Sequence, residues 1–128
     1  MRYDPLTHSL REARVKPDAW RAFRRDVARA APKGRGTMIL LVADSAATAA
    51  RYDHCESLVY RDAGCMIATI QLTAGALGMS CIPIGFKGEG FVDALRLDRN
   101  RFFPCGILSA GQPSFQKANV RRRPERQG

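Results

Sequence analysis

The six residues Cys81-Ile82-Pro83-Ile84-Gly85-Phe86 form a loop suited to holding a flat ligand by its backbone. Pro83 fixes its own φ and donates no hydrogen bond. Gly85 permits a positive φ or the close approach of another group. Such a loop sets the backbone polar groups of Pro83, Ile84 and Gly85 beside whatever lies on it. A second chemical group is the basic C-terminal stretch with Lys117, Arg121, Arg122, Arg123 and Arg126. Guanidinium forks match phosphate oxygens two at a time, so these arginines suit a clamp for one phosphate. The same stretch reads equally as a solvated arm, or as a nucleic-acid contact through phosphates. No aromatic residue interleaves with the arginines, which disfavours stacking on bases.

The four cysteines, Cys55, Cys65, Cys81 and Cys105, form no C-x-x-C pair, and only two histidines accompany them. Zinc sites show tighter ligand spacing. The cysteines therefore read as small, semi-apolar core residues, and no metal is expected. The chain carries a formal net charge of +9 over 128 residues, with 45% hydrophobic and 26% charged residues. That composition fits one small globular domain. The longest apolar run, Met38 to Ala43, has the length of a buried strand, far short of a bilayer span. The N-terminus shows no signal-peptide apolar region, and a cytoplasmic protein is expected.

The elements that must position these residues follow from the pattern. Residues 1–17 read as an arm, with a turn at Tyr3-Asp4-Pro5 and with Pro17 ending any early helix. Asp18 is a candidate N-cap for a helix whose Trp20, Phe23 and Val27 recur at helical spacing. Pro32-Lys33-Gly34-Arg35-Gly36 breaks the chain before a strand at 37–43. Asp44 or Ser45 caps a second helix to about Tyr60. A third follows over 63–77, with Met66, Ile67, Ile70, Ala74 and Leu77 on its apolar face and Gly78 as its C-terminal cap. A short extended segment at 82–86, a short helix at 90–97 and an apolar strand at 106–110 complete the pattern. The domain spans 18–115 and the basic tail 116–128. This is a mixed α+β class, with too few strands for an independent sheet of ordinary size.

The stretch Tyr60 to Phe86, reading YRDAGCMIATIQLTAGALGMSCIPIGF, resembles the nitroreductase superfamily, as does ILSAGQP at residues 107–113. The segment Tyr3-Asp4-Pro5-Leu6-Thr7-His8-Ser9-Leu10 resembles the Y-D-P-x-x-H-x-L segment of SagB-type dehydrogenases. This resemblance implies FMN as cofactor, with the ring along Pro83, Ile84 and Gly85, whose backbone is directed at the reactive ring nitrogen. It also implies that a basic segment after the last strand, here Arg121, Arg122 and Arg123, reaches the FMN phosphate. Azoline oxidases of this group carry a Lys-Tyr pair ahead of the long helix that is implicated in proton removal. The matching pair here is Arg51-Tyr52. Arginine stays protonated and is no general base. Tyr52 accepts a proton only with a depressed pKa.

The arginine-rich segment that opens nitroreductases has no counterpart here, because Arg2-Tyr3 matches the middle of a SagB-type chain. The resemblance thus implies a half fold completed by a second nitroreductase-like subunit. Cyclic dipeptide oxidases, nitroreductase-like and built from two kinds of subunit, are a relevant parallel. The expected function is a subunit of a heteromeric FMN-dependent oxidoreductase. It would pass hydride from a peptide-derived substrate, such as an azoline or cyclic dipeptide, to the flavin. Two alternatives stand beside it: a non-catalytic subunit that stabilises or polymerises a flavoenzyme, and a basic nucleic-acid-binding protein. A half fold also leaves the apolar face of the 63–77 helix open, so the isolated chain is expected to be oligomeric or poorly soluble.

Overall fold

A computed structural model describes residues 1–31, 36–85 and 88–113. The predicted break at Pro32-Lys33-Gly34-Arg35 and the predicted tail, residues 116–128, lie outside these. The chain starts with an antiparallel hairpin of β1 (Arg2–Asp4) and β2 (Ser9–Arg11), in which Tyr3 faces Leu10. The Asp4 carboxylate accepts from the Leu6 amide at 3.0 Å, which closes the turn behind Pro5. Arg11 pairs with Asp4 at 2.7 Å, and the Tyr3 hydroxyl lies 2.7 Å from His8 Nδ1. The expected arm is thus a hairpin, whose three-residue strands are too short to show an alternation.

Helix α1 (Pro17–Ala30) begins at Pro17. Proline there starts the helix and ends nothing, because the first turn has no use for its missing N–H. The cap residue is Lys16, and the expected cap Asp18 sits in the first turn, where it pairs with Arg21. The apolar stripe is as expected. Phe23 is buried and stacks on Trp20 and against Phe91, with ring centres 5.6 and 5.2 Å away. Phe91 belongs to α4 (Glu89–Ala94), whose Val92 and Ala94 are fully buried. Gly88 precedes α4 with φ 84°, and a Cβ there would lie 2.7 Å from Ile107 Cδ1. Only glycine suits that position on both counts.

Strands β3 (Thr37–Asp44), β4 (Ser80–Ile84) and β5 (Phe102–Gly111) form an antiparallel sheet in the order β3-β5-β4. Leu41 faces Gly106 and Val42 faces Pro104, so Cys105 is an extra residue in the central strand. A bulge accommodates Pro104, which lacks the donor that an interior ladder needs. Gly106 and Ile107 point to opposite faces. A Cβ on Gly106 would meet Ile67 of α3 (Glu56–Ala76), whereas Ile107 packs near Gly88 and Phe23. Helix α3 therefore covers one face of the sheet, and α1 with α4 the other. The architecture is mixed α+β.

Helix α2 (Ser45–Ala49) is short and capped by Asp44, whose side chain accepts from the Ala46 amide at 3.2 Å. The expected helices at 44–60 and 63–77 are replaced by α2, an irregular stretch with His54 at φ 54°, and one continuous α3. Neither Asp62 nor Gly64 interrupts α3, since a helix tolerates an interior glycine at modest cost. Its end is as expected. Gly78, at φ 69°, donates to Gly75 O at 3.0 Å and Met79 donates to Ala74 O at 2.8 Å, the paired bonds of a glycine-terminated helix. Strand β4 starts at Ser80, two residues before the segment expected at 82–86, and Phe86 lies outside the described residues. The expected helix at 90–97 ends early at Ala94, and the expected strand at 106–110 extends back to Phe102. Among the described residues no helix is long and apolar enough to cross a membrane.

Candidate functional site

Pro83 and Ile84 end the edge strand β4, opposite Leu108 and Ile107 of β5, and Gly85 follows at the rim. An edge is where a strand tolerates proline. Together these three residues line a cavity of about 240 Å³ with Ile67, Cys105, Gly106 and Ile107. Every lining residue among those described is uncharged. Gly106 lets the Ile67 side chain close onto the strand: a Cβ there would come within 2.9 Å of Ile67 Cδ1. Gly85 is open, with nothing within 4 Å of a Cβ built on it. The Cys105 thiol donates to Phe103 O at 3.5 Å, and burial pushes it up from its ordinary range. A thiol held protonated in this way is a lining group and no nucleophile.

The described lining is apolar with backbone close by, as the expected planar ring would need. The phosphate end of such a ligand has no cation on this rim among the described lining residues. Arg121, Arg122 and Arg123, expected to serve it, lie outside the described residues. Of this lining, sequence reasoning names Pro83, Ile84 and Gly85 as site residues and does not name Ile67, Cys105, Gly106 and Ile107. The available signal was Gly106 inside an apolar strand, where glycine often marks a close approach.

Arg51 and Tyr52 lie elsewhere. They follow α2, and both backbone amides donate to Thr48 O at 3.0 Å. Tyr52 is 56% exposed and lines a second, wider cavity of about 540 Å³ with Ala49 and the run Asp53 to Ser57. Neither side chain has a hydrogen-bond or ion-pair partner among the described residues. This cavity shares no lining residue with the first. Tyr52 sits just before α3, whereas Ile67 lies eleven residues beyond its first residue. At 1.5 Å per residue, that is about 16 Å along the helix axis. The chain by itself therefore does not bring the expected ring-binding loop and the expected proton acceptor into one cavity.

The position of Arg51-Tyr52 depends on a corner that sequence reasoning also missed. Arg101, next to β5, donates through Nε and Nη2 to the two Asp44 oxygens at 2.8 and 2.6 Å. The Ser45 amide and hydroxyl both donate to Arg101 O at 2.8 Å. These bonds tie the start of α2 to β5, and Arg51-Tyr52 hangs from the other end of α2. The Arg101 fork holds the Asp44 carboxyl below the usual carboxylate range, and the Ala46 amide adds to that. A carboxyl with a depressed folded pKa stabilises the fold fully above its unfolded value of about 4, and loses this as pH falls through the lower folded value. The corner is therefore expected to hold at neutral pH and to loosen only in acid, below about pH 4. The Ala46 amide shift followed by NMR reports it. A transition near neutrality would show that Asp44 is not the group responsible.

Free Cys55 is buried, Cys81 and Cys105 are half-buried, and Cys65 is exposed on α3, against the expectation of four core cysteines. Among the described residues no group of three or more His, Cys, Asp or Glu side chains is placed to hold a metal. Comparison of the sequence with known family models and with curated proteins finds no match to either.

Proposed function

We propose that this chain is a subunit of a heteromeric FMN-dependent oxidoreductase of the nitroreductase-like, SagB type, acting on a peptide-derived substrate such as an azoline or cyclic dipeptide. The observation that supports it most is the cavity at the end of β4, which Pro83, Ile84 and Gly85 line together with Ile67, Cys105, Gly106 and Ile107. Backbone and apolar walls at one sheet edge suit a flat, partly polar ring. When bound, FMN supplies the hydride acceptor. Pro83, Ile84 and Gly85 would hold its ring, Arg121, Arg122 and Arg123 its phosphate, and Tyr52 would take the proton that accompanies hydride loss. The distance between Tyr52 and the loop fits a site finished by a second nitroreductase-like subunit, which would supply the rest of the ring's surroundings.

The same separation favours a second reading, in which this chain binds and braces the flavin while the partner supplies all the reacting groups. The experiment that tests the proposal is co-purification with a candidate partner subunit. A yellow complex with one FMN per pair, where neither chain alone holds flavin tightly, is the expected result. Flavin held fully by the partner alone, or a colourless complex, would overturn it.

A further inference from the structure

Helix α1 divides its residues sharply between two faces. Trp20 and Phe23 turn inward and pack on the Phe91 ring of α4. The opposite face carries Arg21, Arg24, Arg25 and Arg29, all exposed. Arg21, Arg25 and Arg29 follow one another at four-residue steps, so they stand along one line with a rise of about 6 Å between neighbours. Like charges at that spacing destabilise a helix. The acids on the helix offset only part of this. Asp18 pairs with Arg21, and Asp26 with Arg29 at 3.9 Å, with all four side chains more than half exposed. Exposed pairs of this kind hold weakly. Arg24 and Arg25 form no ion pair among the described residues. The face therefore stays positive, at a cost to the helix that no contact within the described residues explains.

We infer that the arginine face of α1 binds the sugar-phosphate backbone of a single-stranded nucleic acid, without reading its sequence. Charge complementarity names an anionic occupant, and the residue types narrow it. Guanidinium forks take phosphate oxygens two at a time, and the even steps along the helix suit the successive phosphates of an extended strand. The core of a protein interface is poor in charge and rich in aromatic and apolar side chains. Here the exposed residues among the arginines offer only Ala28. A helix lying on a membrane must give its apolar face to the lipid, whereas that of α1 is spent on α4. Sites that grip bases stack them on aromatic rings. Trp20 and Phe23 are already stacked on each other and on Phe91, so only the backbone is held. The inference rests neither on the flavin reading nor on the basic tail.

The test is binding of the full chain to a short fluorescent oligothymidylate, read by anisotropy across a salt series. Each phosphate contact on a single strand contributes about 0.7 to the slope of log affinity against log salt. Replacing Arg21, Arg25 and Arg29 together by Gln should therefore flatten the slope by roughly 2 and weaken binding roughly tenfold or more at low salt. Arg61→Gln, which removes an exposed charge on α3, should leave the slope unchanged. Glutamine is about as good a helix former as arginine, and the triple variant loses its like-charge neighbours. Its melting temperature should hold or rise, whereas loss of arginines that serve the fold would lower it. Oligocytidylate should bind about as tightly as oligothymidylate. No binding, or a slope that flattens as much in Arg61→Gln, would overturn the inference. So would a loss that follows only the substitution of Arg121, Arg122 and Arg123. Polyglutamate that competes as well as the oligonucleotide would also overturn it, and would assign the face to an acidic protein.

Discussion

Gly85→Val is expected to abolish flavin binding by the assembled complex while leaving the fold of this chain unchanged. The two halves of that expectation have separate grounds. Among the described residues a Cβ on Gly85 meets no atom within 4 Å, and the residue lies after the β4 ladder ends at Ile84. The substitution therefore creates no clash inside the chain, and the melting temperature should hardly move. The proposed ring, however, lies against this backbone, and two added methyl groups occupy the place where it must approach. Flavin content after desalting, read from absorbance at constant protein, should fall at least tenfold, a loss of about 1.4 kcal/mol or more in binding. Gly85→Ala is the graded control and should weaken the flavin without removing it. Full flavin content in the valine variant would place the ring elsewhere, whatever the resemblance implies.

Much of the scaffold around that loop was legible in the sequence, for local reasons. Trp20, Phe23 and Val27 announced α1 by spacing alone, and they pack where a helix of that phase must bury them. Met38 to Ala43 read as a strand because nothing polar interrupts it. Gly78 read as the end of a helix because few other residues adopt its left-handed φ. What stayed hidden is set by contacts distant in sequence. The separation of α2 from α3 depends on Asp44 meeting Arg101, fifty-seven residues later. The bulge at Cys105 follows from the register of β3 on β5. The pairing of Arg51 and Tyr52 with their surroundings is hidden for the same reason. Their spacing along the chain matches the expected pair, but no local rule sets how far a turn after α2 stands from a loop after β4.

The site divides along the same line. Pro83 and Gly85 are legible because each has an unusual backbone, and backbone peculiarities show in residue type. The floor of the cavity is not, since Ile67 and Gly106 reach it only through packing of α3 on β5. Cysteine usage misled at one position. Cys65 has the composition of a core residue and the position of a surface one. On a helix with few charged residues, polarity does not separate the inner face from the outer.

Tyr52 is expected to carry the largest kinetic effect. Hydride loss from a C–H bond must be accompanied by loss of a proton, and something within reach has to accept it. Tyr52 stands on the rim of its cavity, 56% exposed and free of hydrogen-bond partners among the described residues. Its hydroxyl is thus available to a substrate and contributes nothing visible to the fold. Tyr52→Phe should leave assembly, flavin content and melting temperature unchanged, and should slow flavin reduction by substrate roughly 10²–10⁴-fold, the usual range for loss of a general base. If charge is what Arg51 contributes, Arg51→Lys should keep more of the rate than Arg51→Ala. If Tyr52→Phe reduces flavin at the unmodified rate, the acceptor belongs to the partner subunit or to solvent. This chain's part in the reaction would then be to hold the ring.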